Sequence, residues 1–213
     1  MTLEHAKISE EKHQLILNAA QKRFAHFGIS KTSMEDIAAD IGLSKSSLYY
    51  YFTTKEDIFK AVIAREQEIF IARMEEILKK NIPAGEKLEQ YILNQLSFLN
   101  ELTNLRVINS QAYDELRPMI GDLFKNFSHE ELRLMHQIME EGKSRREFAI
   151  ASTEKNAELL VHLLQGFRIR YSKHALDQFS DKQSEYHRLE SELKLFAQVI
   201  CHGIKNAPIG EKK

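Results

Sequence analysis

The stretch that decides the fold is Gly42-Leu43-Ser44-Lys45-Ser46-Ser47-Leu48-Tyr49-Tyr50-Tyr51-Phe52, in a chain of 213 residues. Its first three residues predict a sharp turn, because glycine closes one helix, leucine fills the corner and serine caps the next helix. A glycine-containing turn of this length is typical of a helix-turn-helix. The next helix is predicted from Lys45 to about Phe52, with Leu48 and Phe52 facing inward.

A first helix is predicted over residues 10–27, upstream of this turn. Ser9 would be its N-cap, and Gly28 would end it in the left-handed conformation that glycine adopts easily. Apolar residues at the 4, 4, 3 spacing of one helical face support this interpretation: Ile16, Ala20, Phe24 and Phe27.

A second helix is predicted between a threonine-serine pair and Gly42. Thr32 and Glu35 have the spacing of a capping box, and Ser33 offers a second capping hydroxyl. The apolar face of this helix comprises Met34, Ile37, Ala38 and Ile41. The first 55 residues therefore predict three short helices, arranged as a helix-turn-helix domain.

Longer helices are predicted beyond residue 55, and no strand pattern competes with them. One ends near Asn81-Ile82-Pro83, and another restarts at Arg117-Pro118 and runs to Gly142, a break near Ser128 being an alternative. Two further helices near 155–172 and 187–205 complete an all-α chain. Its predicted division is a helix-turn-helix domain over 1–55, a larger helical domain over 56–207 and a disordered tail over 208–213.

Composition narrows the classes of function. Formal net charge is −1, and residues 1–60 balance eight basic against eight acidic residues, so a protein that coats nucleic acid non-specifically is excluded. Between Ile41 and Lys55 there are two lysines and no acid, so any DNA-facing surface is narrow. No secretion signal or membrane span is predicted, and the lone Cys201 fits a reducing cytoplasm, where it would be a structural thiol.

Six short blocks resemble the DNA-binding domain of the tetracycline repressor (TetR) family. They are Phe27-Gly28, Thr32-Ser33, Ile37-Ala38, Gly42-Leu43-Ser44, Leu48-Tyr49-Tyr50-Tyr51-Phe52 and Lys55-Glu56. Residues 141–148 are similar to the family's Gly-x-x-x-Gly-x-Phe stretch, except that arginine or glutamate stands at the second glycine. The resemblance implies a regulator that binds a palindromic double-stranded DNA operator as a homodimer.

In a helix-turn-helix, the second helix presents its first residues to base edges in the major groove. Candidate DNA contacts are Thr32, Ser33, Lys45, Ser46, Ser47, Tyr49, Tyr51 and Lys55. Of these, Thr32, Ser33, Tyr51 and Lys55 are placed for phosphate oxygens. Plainer roles stay open for some of them. Thr32 and Ser33 are caps first, and Lys45 can be a solvated lysine. Tyr50 is interpreted with Leu48 and Phe52 as core.

The last two helices each have a second apolar strip, which needs a second packing partner. The resemblance implies that these helices form the dimer interface. The alternative is that the second strip packs inside the monomer. The resemblance also implies a pocket for a small-molecule effector, and the apolar candidate residues indicate that this effector is hydrophobic. Its candidate residues, each of which can equally be plain core, are Tyr91, Phe98, Tyr113, Phe124, Met135, His136, His162, Gln165 and Arg168.

An enzyme and a protein-binding helical adaptor are the rival interpretations. The histidines form no HExxH motif, no CxxC is present, and neither a phosphate loop nor a nucleophile elbow occurs, so no catalytic residue, cofactor or metal site is expected. His136 and Glu140 are one turn apart, as in a surface bridge. An adaptor explains the helices but not the exposed Lys, Ser and Tyr beyond the turn.

Overall fold

The computed structural model describes residues 3–101, 110–175 and 182–206. These ranges form eight helices and contain no strand, which confirms the all-α prediction. The helices are α1 (Leu3–Phe27), α2 (Met34–Asp40), α3 (Lys45–Tyr51), α4 (Lys55–Lys79), α5 (Ala84–Glu101), α6 (Ser110–Ser144), α7 (Thr153–Ala175) and α8 (Lys182–Asn206). None of the helices in these ranges is both long and apolar enough to cross a bilayer. The predicted tail, 208–213, lies outside the described residues.

The chain divides into two compact units. The first is formed by Met1–Gln67 and Leu102–Leu123, and the second by Glu68–Glu101 and Phe124–Lys213. In the first, α1, α2, α3 and the start of α4 surround a small core. Phe24 meets Phe59 edge to face, with 5.5 Å between ring centroids. Fully buried side chains complete that core: Ile16, Ile37, Leu48, Ile58, Val62 and Ile63.

Helix α1 ends as predicted but begins earlier. It starts at Leu3, so the prediction that Ser9 is its N-cap was wrong; the Gln14 side chain donates to Glu10 across a turn that lies well inside the helix. At the other end, Gly28 has the positive φ of 80° that stops a helix. Phe27 was assigned to the inner face, yet its side chain is 49% exposed and lies under the Arg23 guanidinium.

The capping box of α2 uses the neighbouring pair of residues. Ser33 Oγ accepts from Asp36 N–H at 3.1 Å, and Ser33 N–H donates to the Asp36 carboxylate at 3.0 Å, so the Thr32–Glu35 prediction was wrong. The reason is that Thr32 is buried, and its hydroxyl donates to the Gly28 carbonyl at 2.8 Å. Gly42 has a φ of 64° in the turn, where an L side chain would be strained.

The second unit contains the remainder of α4, with α5, the later part of α6, α7 and α8. Helix α5 packs along α8, and the Ala149 N–H donates to the Ile204 carbonyl at 2.8 Å. Helix α6 begins at Ser110, so the prediction of a start at Arg117-Pro118 was wrong and Pro118 lies inside the helix. The alternative of a break near Ser128 is also contradicted, because Phe127, Glu131, Leu134 and Ile138 form one continuous buried face.

The connection from α6 to α7 is a tight turn that folds back on the helix end. Glu147 and Phe148 N–H groups both donate to the Gly142 carbonyl, at 2.8 and 3.1 Å. The buried Phe148 ring covers Gly142. Arg146, which stands at the second glycine of the Gly-x-x-x-Gly-x-Phe pattern, has a φ of 58°. This is the left-handed conformation, which costs a side chain about 1–2 kcal/mol.

We therefore expect Arg146→Gly to raise the free energy of unfolding, by about 0.5–1 kcal/mol after the greater flexibility of glycine in the unfolded chain is deducted. Urea denaturation measures the change. Arg146→Ala is the control, since it removes the same side chain but keeps the strained φ. Equal stabilities of the two variants would contradict the strain.

Candidate nucleic-acid interface

Two buried side chains hold α3 against the first unit. Leu48 is fully buried, and Phe52 is buried beside His13, whose ring stacks on it with 5.0 Å between centroids. Ser44 is the predicted N-cap: its Oγ accepts the Ser47 N–H at 3.1 Å. These contacts fix a seven-residue helix, Lys45–Tyr51, directly after the Gly42 turn.

The opposite side of α3 is exposed. Tyr50 is 82% exposed, so the interpretation of this residue as core was wrong. At 100° per residue, Tyr50 lies about 200° from Leu48 around the helix axis, on the outer side, whereas Tyr51 lies only about 60° from it. Tyr51 is accordingly half-buried, and its ring meets Tyr50 edge to face at 5.2 Å. The other exposed side chains here are Lys45, Ser46 and Tyr49.

Lys45 is pre-positioned by a neighbouring helix. Its ammonium forms an ion pair with Glu35 of α2 and lies 5.8 Å from the centre of the Tyr49 ring. The hydrogen bond from Lys45 lowers the pKa of Glu35, and the same bond raises the pKa of Lys45. Both side chains are more than half exposed, so the pair can exchange for a DNA contact at little cost.

Lys55, a predicted phosphate ligand, has a structural task. Its ammonium donates to the Ile29 carbonyl at 3.0 Å and to the Thr32 carbonyl at 3.1 Å, which ties the start of α4 to the link between α1 and α2. Thr32 is itself buried, with its hydroxyl on Gly28, so it does not offer that group at the surface. Ser33 is half-buried and engaged in the capping box. Phosphate contacts by these three residues stay predictions.

We expect Lys55→Met to lower the free energy of unfolding by about 1–3 kcal/mol, because the part-buried Thr32 carbonyl loses its Lys55 donor and the Ile29 carbonyl loses one of two donors, keeping the Thr32 N–H. Urea denaturation checks this, with Lys60→Met on the same helix as the matched control. A phosphate contact would add a second effect, a decrease of about one in the counterion slope of operator binding per protomer. A variant as stable as Lys60→Met would contradict the structural task.

Arg23 was not singled out from the sequence, although it orients α2. Its guanidinium donates to the two carboxylate oxygens of Asp40 at 2.6 and 2.9 Å and lies 3.5 Å from Asp36. The hydrogen bond to Asp40 raises the pKa of Arg23, and the same bond lowers that of Asp40. Basic and acidic residues 17 positions apart gave no local signal of this pairing.

The predicted pocket residues whose side chains the structure describes belong to the second unit. Tyr91 and Met135 are buried, Phe124 is half-buried, and Gln165 donates to Ser128 Oγ at 3.0 Å. His162 is exposed. The side chains of Phe98 and Tyr113 lie outside the described part of the chain.

His136 lies on the surface of the second unit, 3.7 Å from both Glu140 and Glu154. The three side chains are partly exposed, and their ligand atoms lie within 4.8 Å of one another. His136 therefore forms the surface bridge with Glu140 that its spacing indicated.

Arg168 anchors a polar group in the interior of this unit. It forms a two-pronged ion pair with Glu131, at 2.5 and 2.6 Å, and donates to Gln95 Oε1 at 2.8 Å. Its guanidinium lies 5.5 Å from the centre of the Phe127 ring. Although burial opposes the charge, Glu131 leaves the pKa of Arg168 raised. Of the predicted pocket residues, Arg168 belongs to this polar group, and Tyr91 lies one turn before Gln95 on α5.

Known proteins are similar in sequence to this chain, both in its helix-turn-helix region and beyond it. The family model for bacterial regulatory proteins of the tetR family matches residues 16–62. The fatty acid metabolism regulator protein of Bacillus subtilis is 31% identical over 140 residues, 64% of this chain and 70% of that protein. The chain belongs to the TetR family. This TetR-family protein is a DNA-binding, ligand-responsive transcriptional regulator with an N-terminal helix-turn-helix.

Two further relatives extend the comparison. The transcriptional repressor BepR of Brucella suis is 27% identical over 171 residues, 74% of this chain and 78% of its own. A crystal structure of a transcriptional regulator from Cytophaga hutchinsonii superposes with a TM-score of 0.79 at 36% identity, covering 92% of this chain and 99% of that one. These relatives are regulators of transcription, and the TetR-family fold extends over most of this chain.

Proposed function

We propose that this TetR-family regulator is a cytoplasmic repressor that binds a palindromic operator as a homodimer and is released by an apolar effector. The observation that carries the proposal is the outer face of α3, where Lys45, Ser46 and Tyr49 stand exposed on a helix that Leu48 and Phe52 anchor. The DNA-binding domain is taken as residues 1–55 and the sensing and dimerising domain as 56–207.

The base contacts are assigned to the first turns of α3. Lys45 would donate to guanine O6 or N7, Ser46 and Ser47 would bond base edges or phosphates, and the Tyr49 ring would meet a thymine methyl group. Tyr51 and Ser33 are assigned to phosphates at the rim. Tyr50 joins them because 82% of its side chain is exposed. With few cations on this surface, binding should weaken with salt less steeply than for a strongly basic repressor.

The dimer is assigned to α7 and α8. Four large apolar side chains on these helices are exposed in the single chain: Leu159 at 56%, Leu163 at 39%, Leu195 at 61% and Val199 at 60%. Both helices also have a buried face, which includes Leu160, Leu164 and Leu193. Two apolar faces on one helix require partners on both sides, and a second copy supplies the outer one.

The effector is assigned to the acyl-chain class. The B. subtilis relative is named as a regulator of fatty acid metabolism. The interior of the second unit is apolar and aromatic, as an acyl chain would require of its surroundings: Phe70 meets the rings of Tyr91 and Phe127 at 6.1 and 5.5 Å. A ligand that prefers one of two states of the dimer shifts operator affinity by that preference.

Selection of bound sequences from random DNA tests the DNA-binding part directly. Purified protein should enrich a palindrome, and Lys45→Ala with Tyr49→Ala should then weaken binding about 30-fold or more, because each protomer loses about 1–3 kcal/mol. Lys79→Ala is the matched control, an exposed lysine on α4. Absence of any enriched sequence would refute the proposal.

Light scattering during gel filtration tests the dimer. Leu159→Glu with Leu195→Glu should give a monomer that binds a single half-site weakly. Leu15→Glu is the matched control, because Leu15 is 45% exposed on α1, outside the assigned seam. A double variant that remains a dimer would move the seam elsewhere.

A further inference from the structure

The charge at the start of α3 is balanced by a different helix. The sequence of α3 contains one cation, Lys45, and no acid. The compensating carboxylate is Glu35 of α2, which forms an ion pair with the Lys45 ammonium. The ammonium also lies 5.8 Å from the centre of the Tyr49 ring, one turn further along α3. The place where α3 begins therefore has no net charge, although a lysine occupies it.

The other acids of α2 act on other elements. Asp40 accepts two hydrogen bonds from Arg23 of α1, at 2.6 and 2.9 Å. Asp36 forms the capping box with Ser33 and lies 3.5 Å from the same guanidinium. Glu35 is therefore the acid of α2 whose ion pair reaches the helix that is assigned to the major groove.

The ion pair affects contacts with bases and contacts with phosphates differently. Both side chains are more than half exposed, so the pair itself contributes little energy in water. A lysine that turns to a phosphate at the rim of the groove leaves the Glu35 carboxylate unpaired beside the phosphate backbone, where like charges repel. A lysine that stays paired still has two of its three N–H donors for the O6 and N7 acceptors of a guanine. The pair therefore penalises the phosphate contact and allows the base contact.

We propose that Glu35 is a positioning residue that determines specificity: it holds Lys45 toward the base edges and thereby lowers the affinity for DNA that lacks the operator sequence. This inference rests on the proposed base contact of Lys45. Glu35 acts through Lys45 and is assigned no DNA contact of its own. Rejection of other DNA matters to a regulator, because competing non-specific sites far outnumber operators in a genome.

Fluorescence anisotropy with the full-length protein and two labelled duplexes tests this role. One duplex contains the palindrome enriched from random DNA, and the other contains the same bases in shuffled order. Glu35→Gln keeps the size of the side chain and removes its charge. It should strengthen binding to the shuffled duplex about 3- to 10-fold and lower the ratio of operator to shuffled affinity at least about 10-fold. The salt slope for the shuffled duplex should steepen by about one per protomer, because Lys45 is released to a phosphate. An unchanged or higher ratio would overturn the inference.

Two controls separate this role from the loss of a negative charge alone. Glu11→Gln removes the same charge from an exposed position on α1, and it should change both affinities by similar factors and leave their ratio as in the parent. In a Lys45→Met background, Glu35→Gln should also leave the ratio nearly unchanged, because no cation remains to be released. An equal fall in the ratio for Glu11→Gln, or in the Lys45→Met background, would overturn the inference. The melting temperature of Glu35→Gln should stay close to that of the parent, since the pair is exposed.

The base contact and the role of Glu35 fail differently. If Lys45→Met leaves operator affinity unchanged, the proposed base contact is wrong, and the inference falls with it. If Lys45→Met weakens operator binding but Glu35→Gln does not lower the ratio, the base contact stands and the role assigned to Glu35 is wrong.

Discussion

Replacing Glu131 with glutamine is expected to lower the free energy of unfolding by about 3–5 kcal/mol. The change keeps the shape of the side chain but removes the negative charge that Glu131 sets against the Arg168 guanidinium, which is 14% exposed. A buried charge whose partner has been removed costs far more than the pair contributed when intact. Urea denaturation followed by circular dichroism measures this loss, together with a lower melting temperature.

The double replacement Glu131→Leu with Arg168→Met is the control. It removes both charges, and packing of the new apolar side chains against Phe127 should restore most of the stability lost in the single variant. A Glu131→Gln protein within about 1 kcal/mol of the parent would show that water or another group compensates the arginine, contrary to the geometry.

Replacing Gly142 with alanine is expected to lower the free energy of unfolding by about 2–3 kcal/mol, at the upper end of the usual range for overpacking. An alanine Cβ at this position would overlap the Phe148 ring, whose nearest atoms are the body of the ring and not a flexible end. Phe148 is buried at 4% exposure and cannot move away without opening the turn from α6 to α7. Thermal and urea unfolding both measure the effect.

Two companion variants make this result specific. Gly121→Ala, also in α6, has nothing within 4 Å of its Cβ among the described residues, so it should raise stability by about 0.5–1 kcal/mol through helix propensity. Gly142→Ala combined with Phe148→Leu should recover part of the loss by shortening the ring partner. If Gly142→Ala behaves like Gly121→Ala, the close packing of Phe148 is refuted.

Much of the helix-turn-helix domain was predictable, because the sequence features that define it act over a few residues. Gly28 and Gly42 end helices through their own φ angles, and Ser44 caps α3 by accepting the N–H of Ser47, three residues on. Leu48 and Phe52 mark the buried face of that helix. Tyr50 was misassigned although the signal was present: the same rotation of 100° per residue that buries Leu48 points Tyr50 outward.

Other errors arose where two local signals competed. Thr32 and Ser33 both have capping side chains, with Glu35 and Asp36 at the matching distance, and the sequence alone offered no choice between them. The burial of Thr32 and its bond to the Gly28 carbonyl decide for Ser33. Pro118 is similar, since proline favours a first turn locally but is accommodated inside α6.

The sequence by itself determined an all-α chain with a helix-turn-helix, because periodicity, capping and glycine conformation depend on neighbours within one or two turns. Only the tertiary structure decided the partners of the charged and polar side chains. Lys55 reaches carbonyls 23 and 26 positions away, and Arg168 joins Glu131 and Gln95 across 37 and 73 positions. Such pairs form because of the way the helices pack, and a regular spacing of residues along the chain does not predict them.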